Sequence, residues 1–245
     1  MNKRIALVTG ATKGIGKAIA KQFIDANYFV IAVDMDNENG TILSNEFGKE
    51  KIEFICADIS KEEDVTNLFN HIRLKYNYID VLVNNAGIIR DNMIWKMSVE
   101  DFDMVMNVNM KGTWLMCREC AKMMKEKQSG RIINIASRAW LGNRGQSNYS
   151  SSKAGVVALT RVLALELGKY NVLVNAVAPG LIDTPLSQKL EPDVRQKLID
   201  AQPTKTMGKP EDVANVVSFL ASEKTQFITG QTIYVDGGKS IGAGL

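Results

Sequence analysis

Thr9-Gly10-Ala11-Thr12-Lys13-Gly14-Ile15-Gly16 decides how this chain is read. It follows a short apolar run, residues 5–8, and opens a stretch with helical periodicity, residues 15–26. Gly10 permits a tight turn, Gly14 removes a side chain where backbone must approach a pyrophosphate, and Gly16 lets the helix lie close to the sheet. The unpaired N–H groups of the helix N-terminus then face the phosphates. The spacing is G-x-x-x-G-x-G and not G-x-G-x-x-G, so the position between strand and helix carries more weight than the glycine count.

Working outward, short apolar runs alternate with longer amphipathic segments. Residues 5–8, 29–33, 52–57, 81–83, 132–136, 172–178 and 232–235 read as strands. Several are rich in β-branched residues and apolar without alternation, as strands covered on both faces are. Residues 15–26, 62–76, 99–127, 150–169 and 210–221 read as helices. The alternation predicts an α/β fold: one doubly wound parallel sheet of the Rossmann type, about seven strands, with helices on both faces. No repeat, low-complexity tract or linker divides the chain, so a single domain is expected over residues 1–245.

The strand ends carry the chemistry. Thr9-Gly10 follows the first strand, Asp34 the second, Asp58 the third, Asn84-Asn85-Ala86-Gly87 the fourth, Ser137 the fifth and Pro179-Gly180 the sixth. In a parallel sheet these ends share one edge, where open α/β folds bind ligands. Asp34 stands where an acidic residue accepts hydrogen bonds from an adenosine ribose. A carboxylate there also repels a 2′-phosphate, by roughly 4 kcal/mol per pair of unit charges at about 4 Å and an effective dielectric of about 20. NAD(H) is therefore expected over NADP(H), although Lys13 in the glycine loop opposes this. Asp58 suits an adenine contact; it and Ser60 are also candidates for the N-cap of the next helix.

Tyr149 and Lys153 lie four apart at the start of a helical stretch, and so on one face, one turn apart. A free phenol has a pKa near 10 and is a poor base at neutral pH. A neighbouring ammonium and a cationic nicotinamide would favour the phenolate, and a shift of about three units represents roughly 4 kcal/mol. Tyr149 then exchanges a proton with an alcohol or ketone, with Ser137 holding the same oxygen. Cys117 and Cys120 form a C-x-x-C pair without further Cys or His nearby and read as two small helical residues, with no metal site expected. His71, the only histidine, sits on a charged surface helix and is not a catalytic candidate.

A net charge of +3 on 245 residues, without a Lys/Arg cluster, argues against a nucleic-acid partner. No apolar run approaches a membrane span. The basic, briefly apolar start is too short for a signal peptide, and three scattered cysteines suit a reducing compartment. A cytoplasmic protein is expected.

The chain resembles the classical branch of the short-chain dehydrogenase/reductase family. The resemblance rests on Thr9-Gly10-x-x-x-Gly14-x-Gly16, Asn84-Asn85-Ala86-Gly87, Asn109 within Asn107-Val108-Asn109, Ser137, Tyr149-x-x-x-Lys153, Pro179-Gly180, Ile228-Thr229-Gly230-Gln231 and Val235-Asp236-Gly237-Gly238, in family order. It implies an oxidoreductase interconverting a secondary alcohol and a ketone, with pro-S hydride transfer. Tyr149 is then the general acid/base, Lys153 binds the nicotinamide ribose and lowers the tyrosine pKa, Ser137 holds the substrate oxygen, and Asn109 anchors a water leading from Lys153 to solvent. The resemblance further implies a cofactor path along Gly10, Thr12, Lys13, Gly14, Ile15, Gly16, Asp34, Asp58, Ile59, Asn85, Ala86, Gly87, Val108, Pro179, Gly180, Ile182 and Thr184, with Ile182 and Thr184 at the carboxamide.

Within the family the likeness is to 3-oxoacyl-acyl-carrier-protein reductases, through Ile89-Arg90-Asp91-Asn92-Met93 and Gly145-Gln146-Ser147-Asn148-Tyr149. Those reductases usually carry basic residues at the positions of Gln128 and Tyr170, and usually prefer NADPH. A dehydrogenase of a polyol, cyclic alcohol, free hydroxyacid or acyl-CoA thioester is the alternative. A non-catalytic dinucleotide sensor would have little need for Ser137, Asn109, Tyr149 and Lys153 together. Residues 183–209, with Pro185, Pro192 and Pro203, are expected to form a short helical lid, mobile without ligand. Helices over 110–124 and 156–167, with Trp114, Leu115, Met116, Val157, Leu159 and Leu163, hold more apolar surface than one sheet face needs; a homo-oligomer is expected, and the resemblance points to a tetramer.

Overall fold

The computed structural model describes residues 3–241; the first two and last four residues of the domain expected over 1–245 lie outside the described residues. Seven strands, β1 (Ile5–Thr9), β2 (Phe29–Asp34), β3 (Ile52–Cys56), β4 (Val81–Asn84), β5 (Gly130–Ile135), β6 (Val172–Pro179) and β7 (Thr232–Val235), form one sheet in the order β3-β2-β1-β4-β5-β6-β7. Every pairing is parallel. The order reverses between β1 and β4, and the crevice at such a switch point lies outside the carboxyl ends of the strands.

Both sheet faces are apolar because successive side chains alternate between them. From β1, Ile5 and Leu7 join a core with α3 (Glu62–Tyr76), α5 (Thr113–Lys127) and the end of α6 (Ser147–Leu167). Ala6 and Val8 join the opposite core with α1 (Gly14–Asp25), α2 (Asn37–Phe47) and α8 (Pro210–Ala221). Each fully buried Leu or Ile contributes about 1.5–3 kcal/mol. The uninterrupted apolar runs of the sequence are therefore the signature of a two-sided sheet.

Two elements depart from the sequence reading. Helix α2 was not foreseen: NENGTILSNEF buries only Gly40 and Leu43, too little apolar surface for a visible period. The single helix expected over 99–127 is three pieces, α4 (Val99–Met106), a π-helical turn Asn107–Gly112 and α5. The wide turn carries Asn109 fully buried, and such bulges inside α-helices concentrate at functional sites. The expected lid holds a 3-10 turn, Ser187–Lys189, and α7 (Pro192–Asp200), and its neck is closed by a bridge between Ile182 and Gly208.

Of the residues named as surplus apolar surface, Leu115, Met116 and Val157 are core. Leu159 and Leu163 are partly buried against that core. Trp114, as named, is 43% exposed, and Val162 and Leu165, which were not named, carry the rest of the surplus at 49% and 85% exposure.

A polar thread ties α6 to the sheet. Asn84 and Asn134 are register partners on β4 and β5. Asn84 Nδ2 donates to Asn134 Oδ1 (2.8 Å), Asn134 Nδ2 to Thr160 Oγ1 (2.9 Å), and Thr160 Oγ1 to the Val156 carbonyl (2.8 Å). Buried polar groups of this kind are costly unless paired, so the thread fixes one position of α6.

The glycine loop is equally constrained. Gly10 has φ 63°, and a methyl on it would lie 2.8 Å from Ala86 Cα. A methyl on Gly16 would overlap the Gly10 carbonyl and lie 2.5 Å from Asn85 Nδ2. Gly16→Ala is therefore expected to lower the unfolding free energy by about 2 kcal/mol or more through overpacking. Urea denaturation measures it; an unchanged midpoint would contradict this account of the loop.

Candidate active site

The carboxyl ends of the strands bring the sequence-nominated residues to one edge. At the β1–α1 junction, Thr9 Oγ1 accepts from the N–H groups of Asn85 and Ala86 (3.0 Å each). Asn85 Nδ2 donates to the carbonyls of Thr9 and Gly10 (3.0 and 2.9 Å). The Asn85 side chain thus staples the glycine loop to the end of β4, a task its place in the motif did not reveal. Lys13 is the extended N-cap residue of α1, without a side-chain cap, so the first N–H groups of α1 have no capping side chain. Ile15, next to the cradle, packs partly buried on the core under α1.

Asp34 is held from two sides. Its Oδ2 accepts from Thr12 N–H (3.2 Å) and Thr12 Oγ1 (2.7 Å), and its Oδ1 from Asp36 N–H (3.2 Å). Lys13 Nζ lies 3.5 Å from Asp36 Oδ2, not against Asp34. Asp58 folds into a local turn, Oδ1 accepting from Ser60 N–H (3.0 Å) and Oγ (2.7 Å). Neither Asp58 nor Ser60 is the N-cap of α3, which is Lys61. Ile59 is buried beneath the π-helical turn, where a methyl on Gly112 would lie 2.9 Å from its Cγ1. Val108 is half-buried in that turn.

At the other end, Tyr149 and Lys153 occupy the first turns of α6. Lys153 Nζ is buried, donates to the Ile135 carbonyl at the end of β5 (2.7 Å), and lies 5.8 Å from the Tyr149 ring centroid. A methyl on Gly87 would lie 3.5 Å from Lys153 Nζ and 3.2 Å from Asn109 Oδ1. Gly87, Asn109, Lys153 and Tyr149 therefore converge. Asn109 Oδ1 accepts from Ile88 N–H (2.8 Å), while its Nδ2 donates to the Ile88 carbonyl (3.0 Å) and Ser152 Oγ (3.1 Å). The side chain is consumed in clamping the backbone after Gly87.

Sequence reasoning missed the supporting residues. Ser152 Oγ donates to the Tyr149 carbonyl (2.7 Å), Asn148 Oδ1 accepts from Tyr149 N–H (2.7 Å), and Asn148 Nδ2 donates to the Arg90 carbonyl (2.8 Å). Gln146 Nε2 donates to Asp91 Oδ2 (2.8 Å). Asp91, Gln146 and Asn148 stood in the quoted stretches, but their hydrogen-bond partners are distant in sequence or on the backbone and needed coordinates.

The electrostatics correct one expectation. The Tyr149 pKa is raised, not lowered: burial is the largest influence, the Ser137 hydroxyl opposes it by hydrogen bonding, and the Asp91 carboxylate adds to it. Burial also pushes the Lys153 ammonium down to about 8. The polypeptide alone thus keeps a neutral phenol beside an ammonium that is mostly charged at neutral pH, an arrangement suited to giving up a proton.

The segment expected to form a lid begins over the loop. Pro179 and Gly180 end β6, Ile182 is buried, and a methyl on Gly14 would lie 3.5 Å from Thr184 Cγ2. Thr184 N–H donates to Ser187 Oγ (2.9 Å), and Arg195 on α7 pairs with Asp183 (3.2 Å). Buried Cys117 and Cys120 have thiols raised by burial, Cys117 to about 12. His71 is exposed against Glu53 (3.2 Å). Among the described residues no group of three His, Cys, Asp or Glu could hold a metal ion, and no helix is long and apolar enough to cross a membrane.

Comparison with known proteins agrees with this arrangement. A family model described as enoyl-(acyl carrier protein) reductase matches residues 10–240. The (2S)-[(R)-hydroxy(phenyl)methyl]succinyl-CoA dehydrogenase subunit BbsD of Thauera aromatica is 43% identical, over 100% of this chain and 99% of its own. The 3-oxoacyl-[acyl-carrier-protein] reductase FabG of Thermotoga maritima is 40% identical, over 96% of this chain and 97% of its own. The crystal structure of levodione reductase superposes with a TM-score of 0.93 at 31% identity, covering 97% of this chain and 98% of that one. By fold, motif order and relatives, the chain belongs to the short-chain dehydrogenase/reductase family, as an NAD(P)-dependent oxidoreductase acting on CH–OH groups.

Proposed function

We propose that the protein reduces a 3-oxoacyl thioester to its 3-hydroxyacyl form with NADH. The observation that carries this reading is buried Lys153 with half-buried Tyr149 beside Ser137, at the same sheet edge as the glycine loop. The residues fit a dinucleotide: the cradle at Gly10, Gly14 and Gly16 admits backbone approach, α1 presents its N-terminus, and Asp34 stands at the end of β2. When bound, that cofactor supplies or accepts the hydride.

This chain's own residues handle the proton. Ser137 holds the substrate oxygen. Tyr149, kept neutral by the desolvation of its hydroxyl, donates its phenolic proton to the oxygen as negative charge develops there. Lys153, fixed on the Ile135 carbonyl, supports the resulting phenolate and contacts the nicotinamide ribose. Asn109 shapes the turn from which a water leads toward Lys153. Asp58, Ile59, Asn85, Ala86 and Val108 line the adenosine side, and Pro179, Gly180, Ile182 and Thr184 the nicotinamide side. The segment 183–209 acts as a lid that closes over the substrate.

Two relatives named above act on acyl thioesters, which favours that class here. Tyr170 is not basic, but Lys125 and Lys169 lie 5.3 and 5.1 Å from its ring centroid, leaving positive charge there for an acidic carrier. Levodione reductase keeps a non-thioester ketone in play as the second reading. Asp34, gripped by Thr12 and Asp36, favours NADH over NADPH. The exposed Trp114, Val162 and Leu165 support a homotetramer, and the three free cysteines suit the cytoplasm.

A panel of acetoacetyl-CoA, a cyclic alcohol and a sugar alcohol tests the substrate class. The thioester is expected to be turned over fastest, with a higher kcat/KM for NADH than for NADPH. Tyr149→Phe is expected to retain NADH binding and lose about 1000-fold in that assay. Turnover of an alcohol without the thioester, or an active Tyr149→Phe protein, would overturn the reading. Sedimentation should give a tetramer; a monomer at micromolar concentration would remove the oligomer.

A further inference from the structure

Asp36 has no place in the family motifs quoted above, yet it controls the only basic side chain of the glycine loop. It stands two residues beyond Asp34, at the N-cap of α2, where its Oδ1 accepts from Asn39 N–H (3.2 Å) and its Oδ2 from Asn39 Nδ2 (2.8 Å). The same Oδ2 lies 3.5 Å from Lys13 Nζ. Its own N–H donates to Asp34 Oδ1 (3.2 Å). The two carboxylates are therefore coupled through the backbone, and each engages one residue of the loop: Asp34 takes Thr12 and Asp36 takes Lys13. The Asn39 hydrogen bonds, with Lys13 adding to them, hold the Asp36 carboxyl below its usual range, so it is charged at neutral pH.

A phosphate on the adenosine ribose carries nearly two negative charges at neutral pH. It needs a nearby cation, and Lys13 is the loop's single candidate. We infer that Asp36 is a second determinant of cofactor specificity: it occupies the Lys13 ammonium, so that a 2′-phosphate would meet Asp34 with the loop's counter-charge already engaged. This rests on the reading that Asp34 faces the adenosine ribose. An exposed pair such as Lys13–Asp36 adds little to stability. Its effect lies in the charge that an incoming phosphate encounters.

The substitution Asp36→Asn removes the charge and keeps a side chain that caps α2 well. Calorimetric titration of NADP+ and NAD+ into the wild type, Asp36→Asn, Lys13→Met and the double variant forms a double-mutant cycle. Asp36→Asn is expected to shift the ratio of dissociation constants toward NADP+ by about threefold to fivefold, and the shift is expected to vanish when Lys13 is also Met. Lys13→Met alone should move the ratio by less than about twofold. An unchanged ratio in Asp36→Asn overturns the inference. So does an equal shift with and without Lys13, because Asp36 would then act through its own charge alone. A wild type that binds NADP+ more tightly than NAD+ sinks the Asp34 reading itself. A wild type that prefers NAD+ with a flat cycle sinks only the role of Asp36.

Discussion

A buried ammonium donating to a strand-end carbonyl is the contact on which the rest of the site depends. Lys153 Nζ reaches the Ile135 carbonyl at 2.7 Å in a position closed to water. Burying a charge without a carboxylate partner is unfavourable, and the fall of its pKa to about 8 is the measure of that. Nothing in core packing requires a lysine there. A perturbed titratable group beside a second perturbed group, at the carboxyl edge of a parallel sheet, is the pattern expected of a reacting centre. The contact also sets the register between α6 and β5, and with it the position of Tyr149.

Around this contact the fold works by stapling loops to strands. Thr9 and Asn85 join the glycine loop to β4, Asn109 clamps the backbone after Gly87 from a π-helical turn, and the Asn84–Asn134–Thr160 thread holds α6 on the sheet. Asn84, Asn85 and Asn109 stand inside motifs that look like ligand contacts in a linear reading. In three dimensions their side chains bond to protein. They shape the walls of the site rather than fill it.

The strand runs and the glycine turn were legible in the sequence because both sheet faces are apolar and because only glycine fits where Gly16 meets the Gly10 carbonyl. The Tyr149–Lys153 pair was legible because helical spacing puts both on one face and because it stands just beyond Ser137, at the end of a buried strand. Helix α2 was not, since it buries too little to show a period. The break at Asn107–Gly112 was not, since a π turn leaves the apolar pattern nearly intact. The direction of the Tyr149 pKa was misjudged for a related reason. Spacing gives the distance to a charge, whereas desolvation depends on everything packed around the phenol. Asp36 went unnoticed because its importance comes from Lys13, which is distant in sequence and adjacent in space.

The central claim is that a charged Lys153 supports the phenolate left when Tyr149 gives up its proton. Lys153 carries that charge below about pH 8 and loses it above. The direct test is the pH dependence of kcat/KM for NADH-driven ketone reduction between pH 6 and pH 10, on the intact protein. The account predicts a plateau at low pH and a falling limb with its midpoint near pH 8. A rate that stays flat or rises through pH 9.5 would contradict it.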